Sequence, residues 1–303
     1  MPTVNRGPTD PPILSAQNSQ RSLRLLAAQR RLYSDAKVIH FARISTVLGA
    51  GIAISSLSLA FNSLRPLIGT ASGLLLFLFS VVGSAREKRK QREAAAVQEE
   101  FDTSLYRLEW NNEIAARPNN SLVARAAARH RGGGLENWYG DTGSVVRPLD
   151  VLICQRSNLG WSISLHAYWA AGAVWCGVFT ISSTVMACGL TGMSFNSALL
   201  GVFSPLVPVV RELIEIWRLN SESLRLKEEA DARGAQLWDT AMKSGIIPSE
   251  AECRKLQDVI FSSRQKNALI PDWFYQWRRN AEEDAMRLGV EDYVLQAAEV
   301  GMA

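Results

Sequence analysis

Two long apolar runs dominate the pattern of hydrophobic and polar positions along this chain. Residues 44–85 carry a single charged side chain, and residues 165–210 contain no Asp, Glu, Lys or Arg. Four polar or helix-breaking residues interrupt the first run near its middle: Asn62, Ser63, Arg65 and Pro66. A bilayer core about 30 Å thick takes roughly 20 apolar residues in a helix. We therefore predict four transmembrane helices that form two hairpins, over 44–85 and 165–210.

The alternative interpretation is that these runs form core helices of a soluble protein. Such helices are seldom so long and so free of charge. The mean hydropathy of -0.01 does not argue against membrane insertion, because it averages two apolar runs with three polar segments.

The polar segments complete an all-α membrane fold. Residues 1–20 are rich in Pro, Ser and Asn and are predicted to be disordered. Residues 21–43 predict a basic amphipathic helix that lies either on an anionic leaflet or on the cytosolic domain. Residues 86–164 and 211–303 predict helical cytosolic stalks and a small cytosolic domain. We expect the two stalks to pack together or to mediate oligomerisation.

Local patterns place two elements within these segments. An apolar seam predicts that the second span continues as a stalk to about residue 116; it consists of Val97, Phe101, Leu105 and Leu108. Ser249 followed by Glu252 is typical of a capping box that opens a helix.

Charge predicts the orientation in the membrane. The net charge is +4, and basic residues flank the first predicted hairpin on both sides. These residues are Arg30, Arg31, Lys37 and Arg43 before it, and Arg86, Lys88, Arg89, Lys90 and Arg92 after it. Lys and Arg stay on the cytoplasmic side of a membrane. Both termini and the middle segment should therefore be cytoplasmic.

The sequence contains no recognisable catalytic or metal-binding motif. Cys154, Cys176, Cys188 and Cys253 form no close pair, so neither a disulfide framework nor a metal site is expected. The three histidines are isolated, and no HExxH, GxSxG or Walker pattern occurs. We expect no enzymatic activity and no cofactor.

Small polar residues and prolines within the spans have two interpretations. Ser55, Ser58 and Asn62 share one helical stripe, and Thr180 and Ser183 lie one turn apart in the third span. They could line a pore, or they could let helices approach closely and hydrogen-bond, as Gly69 and Gly73 could in the second span. Pro205 and Pro208 should kink the fourth span, and this kink is either a gate or only part of the shape of the helix.

Arginine and aromatic residues gather in the predicted cytosolic segments. Arginine binds phosphate through paired hydrogen bonds, and aromatic faces stack on bases, so these residues suit a nucleotide-like anion. The alternative is a small domain packed on aromatic anchors with arginines on its surface, and composition alone favours it.

Several segments in order resemble the bacterial S-4TM family, the SMODS-associated four-transmembrane pore-forming effectors. The resemblance begins at 23–37 with LRLLAAQRRLYSDAK and ends at 270–275 with IPDWFY. Between them lie Phe101-Asp102, LEWN at 108–111, Trp138-Tyr139, CQRSN at 154–158, and Trp161 before the third span. The family has an acidic residue after this tryptophan, where this chain has Ser162.

The resemblance implies an effector of cyclic-oligonucleotide antiphage defence (CBASS) in the bacterial inner membrane. Such an effector would respond to a cyclic oligonucleotide, act as a homo-oligomer, damage the bilayer and stop the infected cell from growing. It would not bind long nucleic acid. A membrane scaffold whose cytosolic domain binds a protein partner is the alternative.

This hypothesis selects candidate residues for each role. Arg156 would bind phosphate, and Trp138 or Trp161 would stack on a base. Because the CQRSN segment lies directly before the third span, a bound ligand there could shift that helix. The full ligand-binding set is Arg107, Trp138, Tyr139, Gln155, Arg156, Asn158 and Trp161. The pore set is Ser55, Ser58, Asn62, Thr180 and Ser183, and the gating set is Pro205 and Pro208.

Overall fold

The computed structural model describes residues 12–60, 64–160 and 163–303, and these residues form helices and loops without any strand. The predicted pore residue Asn62 and the predicted ligand residue Trp161 lie outside the described residues. The helices are α1 (Ile13–Gln17), α2 (Gln20–Ala60), α3 (Arg65–Tyr106), α4 (Asn120–Ala128), α5 (Leu149–Gly160), α6 (Ile163–Leu190), α7 (Phe195–Ser197), a π-helix (Ala198–Phe203), α8 (Ser204–Ser244), α9 (Glu250–Lys266) and α10 (Asp272–Glu299).

Four helical stretches are long and apolar enough to cross a membrane. They are Gln20–Leu59, Arg65–Tyr106, Leu149–Leu190 and Phe195–Ser244. The spans of α3 and α6 expose many large apolar side chains, among them Leu67, Leu75, Val82, Trp175 and Phe179. Soluble proteins rarely leave so much contiguous apolar surface uncovered, whereas lipid would cover it. The prediction of an all-α protein with four long apolar helices is confirmed.

The helices divide into an apolar and a polar bundle. We call residues 44–85 and 163–210 the apolar bundle, and the remaining described residues the polar bundle. Helices α2, α3 and α8 contribute to both, since they contain 41, 42 and 41 residues. At helical rise each is about 60 Å long, twice the thickness of a bilayer core.

The core of the polar bundle draws on all three polar segments of the sequence. Leu26 and Leu32 of α2 and Phe101 of α3 belong to one buried cluster, which also contains Cys154 of α5 and Cys253 of α9. A second cluster joins α5, α8, α9 and α10 around Trp238. The amphipathic helix predicted at 21–43 is thus the first half of α2, and its apolar face packs on protein.

The start of the chain differs from the expectation of disorder at 1–20. Residues 13–17 form α1, with Ile13 and Gln17 buried. Ile13 joins the same cluster as Phe101, and this burial offsets the low helical preference of the polar residues around it.

The apolar seam of α3 is buried as predicted, but the helix ends earlier than expected. Val97, Phe101, Leu105 and Leu108 are all buried, whereas α3 stops at Tyr106 instead of near residue 116. Arg107 follows in the left-handed conformation, with φ of 59°, and its amide caps the last turn. The predicted capping box at the start of α9 is present.

Glycines bring the helices of the apolar bundle into backbone contact. Gly69 and Gly73 of α3 lie against the backbone of Leu200, Gly201 and Ser204, and Gly51 of α2 lies against that of Pro205. This contact supports the packing interpretation of the small residues.

We expect Gly73→Ala to loosen the packing of α3 on α8. The added methyl group would lie 2.6 Å from the carbonyl oxygen of Ser204, and such overpacking costs about 1–3 kcal/mol. The measurement is the apparent melting temperature of the purified protein in detergent, which should fall. Gly172→Ala in α6 is the matched control, because no atom lies within 4 Å of its new methyl. Equal melting temperatures for the two variants would contradict a close approach at Gly73.

Candidate functional site

Several of the motifs noted in the sequence meet in one network of buried polar side chains. The carboxylate of Asp102 on α3 accepts hydrogen bonds from the Tyr139 hydroxyl at 2.8 Å and from Arg264 Nη1 of α9 at 2.6 Å. One turn earlier, Glu99 accepts from Arg254 Nη2 at 2.7 Å and from Gln257 Nε2 at 2.8 Å. We call these six residues, together with Gln155 and Asn158, the buried network.

Helix α5 joins the buried network through two predicted ligand residues. Gln155 Nε2 donates to the Cys253 carbonyl at 2.8 Å and to Gln257 Oε1 at 3.2 Å. Asn158 Nδ2 donates to the Tyr139 hydroxyl at 3.1 Å. Gln155 is fully buried and Tyr139 nearly so. The structure therefore brings Tyr139, Gln155 and Asn158 together through hydrogen bonds to protein groups, and Gln155 Oε1 is buried without a partner among the described residues.

The charges of the buried network compensate one another across α3 and α9. Burial raises the pKa of Glu99, and the nearby carboxylate of Asp102 raises it further, whereas Arg264 and Arg254 lower it. These cations offset part of that rise, and the pKa of Glu99 stays above its ordinary value. The arrangement ties α9 to α3.

Arg156 points away from the buried network. Its guanidinium pairs with Asp231 of α8, with Nε 3.0 Å from Oδ1, and lies 4.9 Å from the ring centre of Tyr293 on α10. Its aliphatic stem packs on Gly234. Arg156 thus links α5 to α8 and α10, and its role in ligand binding stays a prediction.

The other predicted ligand residues occupy separate surroundings. Trp138 is partly buried, with its ring edge-on to Phe101 and the guanidinium of Arg30 5.3 Å from its centre. Arg107 is exposed at the end of α3.

Two of the described pore candidates, Ser55 and Ser58, lie where α2 contacts other helices. Ser55 is buried and donates to the Val202 carbonyl of the π-helix at 2.9 Å. Ser58 is buried, and its carbonyl accepts from Arg65 Nε. Thr180 and Ser183 are partly buried, and the Thr180 hydroxyl donates to the Cys176 carbonyl within its own helix. Pore lining and gating stay predictions.

A second polar cluster, the junction cluster, lies where the apolar bundle meets the polar bundle. Arg43 of α2 bonds Glu87 of α3 through Nε and Nη2, both at 3.2 Å, and Glu212 of α8 through Nη1 at 2.6 Å. Glu212 also accepts from the Ser80 hydroxyl and, at 2.9 Å, from Arg211. One guanidinium therefore connects the three helices that extend through both bundles.

The junction cluster is buried and well bonded. His40 Nδ1 lies 2.7 Å from Glu87 Oε1, and Arg43, Glu87 and Glu212 are each more than 90 % buried. Burial alone would raise the pKa of Glu87, but His40 and Arg43 outweigh it and hold that pKa below its ordinary value.

Sequence reasoning missed the junction cluster as a unit. Arg43 served only to predict the orientation in the membrane, and Glu87 lies within a run of basic residues. The available signal was an acidic residue two positions after the end of each predicted hairpin, namely Glu87 and Glu212.

The fold and these clusters define a helical protein whose apolar spans emerge into one polar bundle. A family model for the SMODS-associating 4TM effector domain matches residues 11–293, so the chain belongs to that family. With its four apolar helices it is a multi-pass membrane protein. It is 30% identical over 292 residues to a Bacillus cereus (strain VD146) protein named probable CBASS effector molecule IK1_05631, covering 90% of this chain and 95% of that protein. No solved structure matches.

We expect Asp102→Ala to destabilise the polar bundle strongly. The substitution leaves Arg264 buried without its closest carboxylate, and breaking a buried pair costs about 3–5 kcal/mol. The measurement is again the apparent melting temperature in detergent. Asp239→Ala is the control, because Asp239 pairs with Lys243 on the exposed surface of α8, where a pair contributes about 1 kcal/mol or less. Equal melting temperatures for both variants would refute a structural role for the buried network.

Proposed function

We propose that this chain is a CBASS effector of the bacterial inner membrane that permeabilises the bilayer in response to a cyclic oligonucleotide. Its family and the name of its Bacillus cereus relative support the defence role. The proposal is for a non-enzymatic protein, in which the chemistry is ligand recognition and membrane disruption.

The shared core of the polar bundle supports the predicted topology. Ile13, Phe101 and Cys253 come from the N-terminal, middle and C-terminal polar segments, and all belong to one buried cluster. A single core forms on one side of a membrane, so each pair of spans must return to that side. Two hairpins with a cytosolic domain and two cytoplasmic termini satisfy this condition, and the basic residues beside the spans favour the cytoplasmic side.

The observation that carries the proposal is the continuity of α2, α3 and α8 between the bundles. Each helix is continuous across the boundary between the bundles, and α8 contributes its residues 204–210 to the apolar bundle. A ligand that binds two arrangements of the polar bundle with different affinity would therefore move the membrane parts of these helices as well. In this scheme Pro205 and Pro208 act as the bend in the fourth span, and the pore lies between subunits.

Permeabilisation would involve several copies of the chain. Ser55 is already bonded to the π-helix within one subunit, while the apolar faces of α3 and α6 are exposed. These faces are available to lipid and to neighbouring copies. A homo-oligomer is therefore part of the proposal, with lipid as the surrounding partner.

We expect the chain to depolarise bacterial cells only when it is expressed with an active cognate nucleotidyltransferase. The measurement is the fluorescence of a membrane-potential dye in induced cells, with a catalytically inactive nucleotidyltransferase as the control. Depolarisation with the inactive enzyme, or none with the active one, would contradict the proposal.

The same assay tests the predicted sensor residue. Arg156→Ala should abolish depolarisation if Arg156 binds phosphate, whereas Asp231→Ala, which removes the same ion pair from the other side, should preserve it. Equal loss in both variants would assign Arg156 a structural role. Full depolarisation with Arg156→Ala would remove it from the sensing site.

A further inference from the structure

A cavity of about 390 Å³ opens beside the junction cluster, and none of the six described ligand candidates lines it. Its walls come from α3 between Ser84 and Arg92, from α8 between Arg211 and Glu222, and from residues 265–269 at the end of α9. His40 and Arg43 of α2 and Trp169 of α6 complete it. We call it the junction cavity.

Positive charge exceeds negative charge around the junction cavity. Six Lys or Arg residues and four Glu residues line it. The glutamates already have partners: Glu87 and Glu212 bond Arg43, while Glu215 and Glu222 bond Arg218. Glu212 also bonds Arg211, so the four carboxylates pair with three of the six cations.

The other three cations make no ion pair with any residue that the structure describes. Lys88 and Arg92 lie one turn apart on α3 and therefore share a face, and Lys266 ends α9. All three are exposed and line the same cavity. They come from two different helices, so the charge is concentrated by the fold and not by a run of sequence alone.

The rest of the lining suits an anion with apolar or aromatic parts. Trp169 belongs to an aromatic group with Trp273 and Phe274, at ring separations of 6.1 Å and 5.1 Å. Asn220, Gln91 and Asn267 add amide groups. Pockets for small molecules usually measure about 300–1,000 Å³, a range that includes this cavity.

We propose that the junction cavity is a phosphodiester-binding site, in which Lys88, Arg92 and Lys266 hold the phosphate. A cyclic oligonucleotide and an anionic lipid headgroup both present this group. A cyclic oligonucleotide as the ligand rests on the function proposed above, whereas a lipid headgroup does not. In either case the ligand would sit beside Arg211 and Glu212 and so bias the contact between α3 and α8.

The test compares two double variants in discs of zwitterionic phosphatidylcholine. Lys88→Ala with Arg92→Ala removes cavity charges, and Arg86→Ala with Arg89→Ala removes equal charge from exposed positions of the same helix outside the cavity. One arm measures binding of cyclic di-AMP, cyclic di-GMP, cyclic GMP-AMP and cyclic tri-AMP by equilibrium dialysis. The other arm measures retention of added phosphatidylglycerol and cardiolipin by native mass spectrometry.

We expect the cavity variant to weaken binding of one ligand class by about tenfold or more, because it removes two charged hydrogen-bond donors to the phosphate. The control variant should bind like the unmodified chain. If the cavity variant loses nucleotide binding, the cyclic oligonucleotide binds in the cavity. If it loses lipid retention, a lipid headgroup binds there. Unchanged binding in both arms, or no binding of either class by the unmodified chain, overturns the site. The depolarisation assay judges the proposed function separately.

Discussion

The contact of one arginine with two glutamates constrains the structure where its two bundles meet. Arg43 bonds Glu87 and Glu212, and so fixes α2, α3 and α8 at a common level. All three side chains are buried, so loss of one partner would leave an uncompensated charge, at a cost of about 3–5 kcal/mol. On one side of these residues lies the apolar bundle, whose exposed faces lipid would cover. On the other side lies the buried core of the polar bundle.

The buried network of the polar bundle connects motifs that lie apart in the sequence. Asp102 lies on α3, Tyr139 in the loop between α4 and α5, and Gln155 on α5. Asp102 and Gln155 bond α9 directly, and Tyr139 is connected to it through Asp102. A buried hydrogen-bonded network favours one arrangement of helices, because each bonded member is costly to leave without its partner. The resemblance motifs therefore include part of the framework that holds α5, directly before the third span, against the long helices.

Local sequence patterns predicted much of the secondary structure but few of the contacts between residues far apart in the sequence. The apolar spans, the seam at Val97 and Phe101 and the capping box at Ser249 depend on nearby residues, and the structure contains them. The helix at Ile13 depends on burial against distant residues, so composition alone mispredicted it. Arg156 was selected as a phosphate ligand, but the partner it finds, Asp231, lies 75 positions later in the chain. The junction cluster likewise joins residues up to 169 positions apart.

The proposed function requires that this chain alone converts a cyclic oligonucleotide signal into membrane damage. The most direct measurement is release of a trapped fluorescent dye from liposomes that contain only the purified protein, after addition of the product of the cognate nucleotidyltransferase. We expect release that depends on the product and is absent from protein-free liposomes. Intact liposomes, under conditions where the same product depolarises cells, would contradict it and would indicate that another protein performs the damage.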